Sequence, residues 1–345
     1  MDLRSLACSG AMAAVFGFVV LLPAMAADPA KSYPSVGSVE RKDLRLDRLV
    51  PPGAVIEKLA EGMRWTEGPV WDRRGGHLLF SDIPNNVVMK WQEGAGLSEF
   101  LKPSGYTGTE PFQGREPGSN GLAFDAEGRL HLCQHGDRRI ARLGSDGKFA
   151  TVVDRYQGKR FNSPNDLVFR SNGDLYFTDP PYGLEKGADD PKRELDFCGV
   201  YRLSAAGELT LLSRKVSRPN GIALSPDEKT LYVASSDPEL AVWYAYDVKA
   251  DGSVAGERVF FDATAWAKDG APGLPDGMKV DQAGNIFATG PGGVIVFAPD
   301  GTHLGTLKTG VPTANVAWGE DGSVLYITAN KWLCRIRLTT KGLGF

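Results

Sequence analysis

The chain has 345 residues, of which 42% are hydrophobic and 23% charged, ordinary globular proportions that exclude a mainly disordered chain and a multi-pass membrane protein. Lys and Arg number 39 against 42 Asp and Glu, a net charge of -3, so no basic surplus exists to grip a phosphate backbone and nucleic acid is excluded as a partner. The 42 glycines follow no collagen-like period and favour many short strands joined by tight turns.

In chain order, residues 1–26 read as a secretory signal peptide. Arg4 precedes an apolar stretch over residues 11–22, Pro23 breaks it, and Ala24-Met25-Ala26 forms a small-x-small cleavage site. About 12 apolar residues fall short of the roughly 20 that a membrane span needs. The expected mature protein is periplasmic or secreted, free of the membrane once the signal is removed, and a single domain over residues 27–345. Its cysteines, Cys133, Cys198 and Cys334, are odd in number and sit in strand-like contexts, which predicts buried free thiols.

Residues 54–59 (AVIEKL) read as a lone strand. Six copies of one unit follow: an anchor, a short strand, a tight turn, and further strands. The anchors are Glu67 in EGPVWD, Asn120 in NGLAFD, Asn165 in NDLVF, Asn220 in NGIAL, Asp276 in DGMKVD and Asn315 in NVAW. The segments between them are short and rich in Val, Ile, Leu, Tyr and Phe, and no long 3.6-residue period appears after the signal. Hairpin repeats of this size predict an all-β fold, a six-bladed β-propeller. The last copy has three strands before the chain ends, so the strand at residues 54–59 is expected to complete it and close the ring. Residues 102–118, rich in Gly and polar groups, are expected at the channel mouth with Tyr106 and Arg115; residues 183–196 read as a second rim loop.

Rotational pseudo-symmetry aims the six anchors at one axis. All carry oxygen, and none is His or Cys. Two carboxylates plus amides describe a site for a hard cation, Ca²⁺ ahead of Mg²⁺, Mn²⁺ or Zn²⁺. The second strand of each blade returns toward the same end, which brings Asp82, His135, Asp179 and Ser236 near the site. His135 suits general-base work near neutral pH, and Asp179 suits support of Asn165 or Asn120. His77, His131 and His303 read as surface residues.

The stretches TEGPVWD, GKRFNSPNDLVFRSNGDLYFTDPPYGL, RPNGIALSPDEKTLYVA and GLPDGMKVDQAGNIFATGPGG occur in order along most of the chain. Together they resemble the SMP-30/gluconolactonase/luciferin-regenerating family, and the FTDPPYGL ending is most similar to its bacterial gluconolactonase branch. The resemblance implies a six-bladed propeller with a divalent metal, usually Ca²⁺, in its channel. It implies Glu67, Asn165, Asn220 and Asp276 as metal ligands, with Asn315 left as a support of the ring. The implied activity is hydrolysis of a sugar lactone, such as glucono-1,5-lactone, to the aldonic acid. Asp276 is implied as base or nucleophile, although a metal-bound carboxylate is a weak base; His135 is the other candidate. Asn120, Asn165 and Arg115 are the expected substrate contacts. Two alternatives stay open at this point. One is hydrolysis of another ester or a phosphotriester at the same Ca²⁺ site. The other is a quinone-dependent sugar dehydrogenase, which would need a cationic cluster such as Arg115, Arg138 and Arg139. The oligomeric state is not legible.

Overall fold

Each repeat unit folds into an antiparallel sheet whose strands lie side by side in chain order. The computed structural model describes residues 32–345; the proposed signal segment, residues 1–26, lies outside the described residues. Among the described residues, six such sheets form the blades of a propeller. The innermost strands are Thr66–Asp72, Ser119–Phe124, Leu167–Phe169, Pro219–Leu224, Met278–Val280 and Asn315–Gly319, and each packs against the next around a closed ring.

The ring closes as expected. Ile56–Glu61 pairs antiparallel with Trp332–Arg337 and supplies the outer strand of blade six. It begins two residues later than the sequence indicated because Ala54 N–H donates to Pro51 carbonyl in the turn that precedes it. Two further strands were not foreseen. Ser35–Val36 adds to the closing strand, and Ser38–Arg41 adds a fifth strand to blade five through His303–Lys308. The segment ahead of the repeats therefore covers the edges of two neighbouring blades.

The core lies between blades rather than within them. Six apolar clusters fill the six inter-blade gaps. The period of two along a strand assigns side chains to alternate neighbours. In blade one, Leu78 and Phe80 face blade six while Leu79 faces blade two. In blade three, Leu175 and Phe177 face blade two while Tyr176 faces blade four. In blade five, Val294 and Val296 face blade six while Ile295 and Phe297 face blade four. Middle strands are thus buried on both sides, which is why LLF, LYF and VIVF read as continuous apolar runs. Burial of each such side chain contributes about 1.5–3 kcal/mol.

The first hairpin of each blade turns through a residue of positive φ, glycine in five blades and Glu228 (φ 56) in blade four. Glu228 holds that geometry by accepting from Ser171 N–H (2.7 Å) and Arg170 Nε (3.2 Å) of blade three. Cys133, Cys198 and Cys334 are buried free thiols, as expected. The histidine expectation is corrected at two positions. His77 and His131 lie on second strands and are buried; the His131 ring meets Phe169 edge-on at 5.0 Å.

Candidate active site

At one mouth of the channel lies a cavity of about 420 Å³. Glu67, Asn120, Asn165, Asn220 and Asp276 all line it. The sixth anchor, Asn315, lies behind and donates from Nδ2 to Glu67 Oε2 (3.3 Å).

The local backbone explains why the anchors turn inward. In blades one, two and four the ladder is broken by a bulge at the anchor, between Glu67 and Val70, Ser119 and Leu122, and Pro219 and Ile222. Bulges re-aim side chains at barrel and propeller ends. In blades three and five the regular strand begins only after the anchor, at Leu167 and Met278. The glycine after an anchor has a purpose beyond turning. A Cβ on Gly221 would lie 2.2 Å from Asp276 carbonyl oxygen, and one on Gly277 would lie 1.9 Å from Asn315 Cγ. Four anchors, Asn120, Asn165, Asp276 and Asn315, pack on the bare glycine of the preceding blade, so the glycine after an anchor here marks close approach between blades. Gly221→Ala is expected to lower stability by about 1–3 kcal/mol through overpacking, read in a denaturant melt; an unchanged midpoint would mean the contact has slack.

Hydroxyls from the second strands tie the anchor backbones together. Ser81 Oγ donates to Asn120 carbonyl (2.8 Å), Thr178 Oγ1 to Asn220 carbonyl (2.7 Å), and Thr289 Oγ1 to Ala314 carbonyl (2.8 Å). Ser236 Oγ donates to Pro275 carbonyl and accepts from Asn220 Nδ2 (2.8 Å), which fixes that amide with its oxygen free. Asp179 accepts from Asn162 and Ser163 N–H, both at 2.8 Å, and so shapes the turn leading into Asn165.

The cavity is rich in acceptors that lack donors. Asn120 Oδ1, Asn165 Oδ1 and Asp276 Oδ1 are buried without a hydrogen-bond partner. Glu67 accepts from Gly68 N–H (2.9 Å) and Asn315 Nδ2, both at Oε2, and Oε1 accepts none. Burial pushes the Glu67 carboxyl well above the usual carboxylate range, with the Asp166 charge adding to it. Burial, then the Glu67 charge, holds Asp276 well above the usual carboxylate range. Converging oxygens without donors, two of them on carboxyls that repel one another, fit a hard cation. The donor set is two carboxylates and amides; among the described residues no three His, Cys, Asp or Glu gather at a metal-binding spacing.

The other sequence-derived candidates sit elsewhere. His135 is fully buried behind the cavity wall, with Nδ1 2.7 Å from Glu116 Oε2, and it is Glu116 that reaches the cavity. Arg115 does not line the cavity; its N–H donates to Gly183 carbonyl (3.3 Å). Arg138 is committed to the carbonyls of Phe161, Asn162 and Lys192, and Arg139 to Gln134, Thr151 and Asp137. The cationic cluster that a quinone would need is therefore not assembled among the described residues, of which Arg218 is the one guanidinium lining the cavity.

Sequence reasoning missed Trp65, Glu116, Tyr182, Arg218, Leu274 and Thr313 as lining residues. A signal for four of them was present. Trp65, Arg218, Leu274 and Thr313 each lie two positions before an anchor, and in extended chain a step of two returns to the same side.

A family profile for the SMP-30/Gluconolactonase/LRE-like region matches residues 65–331, which spans all six anchors. The chain belongs to the SMP-30/gluconolactonase/LRE-like family. Among relatives in this family, a gluconolactonase of Zymomonas mobilis is 42% identical over 313 residues, 89% of this chain and 88% of that protein. Pentonolactonase XacC of Haloferax volcanii is 29% identical over 77% of this chain and 81% of its own length. Among solved structures, the gluconolactonase XC5397 of Xanthomonas campestris superposes with a TM-score of 0.77 at 31% identity, covering 90% of this chain and 99% of that one.

Proposed function

We propose that the protein is a lactone hydrolase, a carboxylic-ester hydrolase that opens a sugar lactone such as glucono-1,5-lactone to its aldonic acid with the help of a divalent cation. The observation that carries the reading is the cluster of uncovered oxygens in the cavity, in a chain whose relatives are named for lactone hydrolysis. Glu67, Asn165, Asn220 and Asp276 would hold the cation. Oxygen-only donors favour calcium over zinc, for which His and Cys are absent among them. The bound cation would supply Lewis-acid polarisation of the lactone carbonyl.

The chain's own residues do the rest. Asn120 Oδ1, buried and without a donor, accepts from a sugar hydroxyl. Arg218, exposed at the cavity, offers donors to the ring oxygens. Trp65 and Leu274 give apolar wall against which the sugar's C–H face packs and from which water is displaced. The supports of the anchors keep the site open before substrate arrives, since Ser236, Asn315 and Asp179 are already bonded to their partners.

The direct test is acid release from glucono-1,5-lactone, corrected for spontaneous opening, before and after removal of metal by a chelator. Turnover that disappears on chelation and returns with added calcium is the expected result. Wild-type protein that leaves the lactone at its spontaneous rate would overturn the hydrolase reading, and turnover indifferent to chelation would overturn the cation.

A further inference from the structure

The hydrolysis needs a group that takes a proton from water, and the carboxylates on the channel axis are poorly suited to it. Glu67 and Asp276 would be cation ligands, and a cation-bound carboxylate is a weak base. Arg218 cannot accept a proton. Glu116 also lines the cavity, and it is not one of the ring anchors.

Glu116 is held in place from three blades. Its neighbours are pinned by Arg115 N–H to Gly183 carbonyl (3.3 Å) and by Gly118 N–H to Ile83 carbonyl (3.0 Å). The Gly118 carbonyl in turn accepts from His135 N–H (3.1 Å). The carboxylate is one-third exposed (32%), while the imidazole against it is at 0%. His135 Nε2 is buried without a partner. A hydrogen there would be a donor lacking an acceptor, so the ring hydrogen belongs on Nδ1, which donates to Glu116 Oε2 at 2.7 Å. A bare Gly183 lets the chain lie close over His135, since a Cβ there would come within 3.0 Å of His135 Cβ. A buried imidazole clamping one oxygen of a cavity carboxylate, with the other oxygen left to the cavity, is the arrangement of an oriented base.

We propose that Glu116 is the general base of the lactone opening and that His135 is its positioning residue. This rests on the lactonase reading above. Water oxygen bonds to the lactone carbonyl carbon as one of its protons passes to Glu116 Oε1. The ester bond from that carbon to the ring oxygen then breaks. The departing oxygen takes the proton from Glu116 and becomes the hydroxyl of the open-chain acid. One water is consumed and Glu116 returns to its starting state.

The test uses the full-length protein loaded with calcium. Glu116→Ala and Glu116→Gln are expected to lower kcat by about 100-fold or more, with KM within a few-fold and calcium affinity by calorimetry weakened by no more than a few-fold, since the Glu116 charge reaches Glu67 and Asp276. Added formate, a small external base, should restore turnover to Glu116→Ala and not to Asp276→Asn. His135→Phe is expected to lower kcat roughly 10-fold at unchanged KM, and His135→Gln, which keeps a side-chain donor, should recover part of it. The Gln variant serves if the Ala variant folds poorly. Full kcat in both Glu116 variants would overturn the base. A loss that formate does not rescue, or one carried by KM, would make Glu116 a sugar-binding group and overturn it equally. If the wild type opens no lactone, the underlying reading fails instead, which is a separate outcome from an active wild type with an active Glu116→Ala.

Discussion

Asp276→Asn is expected to leave a folded protein that has lost calcium binding and lactone turnover together. The substitution keeps the side chain's shape and removes one of the two charges at the centre of the proposed cation site. Affinity should fall on the order of 10- to 100-fold or more, and kcat/KM by about 10²- to 10³-fold, the effect of removing one preorganised electrostatic group. The metal-free protein should be no less stable for it. Asp276 is raised above its unfolded value by burial and by Glu67. A carboxyl shifted upward contributes stability below its unfolded pKa, and that contribution is lost as pH rises through the folded one. At pH 8 without metal, the Asn variant should therefore melt at or above the wild type. Titration calorimetry, the lactone assay and a thermal melt read the three quantities. Wild-type calcium affinity in the variant would remove Asp276 from the ligand set.

Arg335→Ala is expected to be the most destabilising single change on the ring seam. Arg335 sits on the third strand of blade six with a side chain only 6% exposed. Its Nε donates to Glu57 Oε2 (2.7 Å) on the closing strand, and its Nη1 donates to Glu93 of blade one. Glu320 of blade six is 3.6 Å away, and the guanidinium lies 5.2 Å from the Tyr33 ring. Truncation leaves three carboxylates around an empty site where the ring is sealed. Breaking a buried pair costs about 3–5 kcal/mol, and because water screens the half-exposed Glu93 the expected loss is about 3 kcal/mol. Arg335→Lys should recover only part, since one ammonium cannot bridge several carboxylates with fixed geometry. Equilibrium unfolding checks this. A loss below about 1 kcal/mol, the range of a surface pair, would show that the closing strand is held by its backbone ladder alone.

Much of the architecture was legible in the chain because it is repetitive. One unit written six times fixes the number of blades, and a spare strand ahead of a three-stranded last copy fixes how the ring closes. Repetition also made the anchors visible, since residues that return in the same phase of every unit are carried to the same end of the channel. The close-approach role of Gly221 and Gly277 was hidden because Asn-Gly and Asp-Gly look the same in a turn as beneath a neighbouring blade.

What the chain by itself determined was the set of residues that share a phase: Glu67, Asn120, Asn165, Asn220, Asp276 and Asn315. Only the folded ring decided which of them open onto the cavity and which stand behind, as Asn315 does behind Glu67. Only the ring decided that His135 is buried against Glu116, and that Arg218 rather than Arg115 faces the site. The physical reason is that symmetry governs positions repeated in every blade, whereas the loops that deliver Glu116 and bury His135 occur once each. Their places are set by hydrogen bonds and packing to Ile83 and Gly183, residues remote in sequence that only the closed ring brings together.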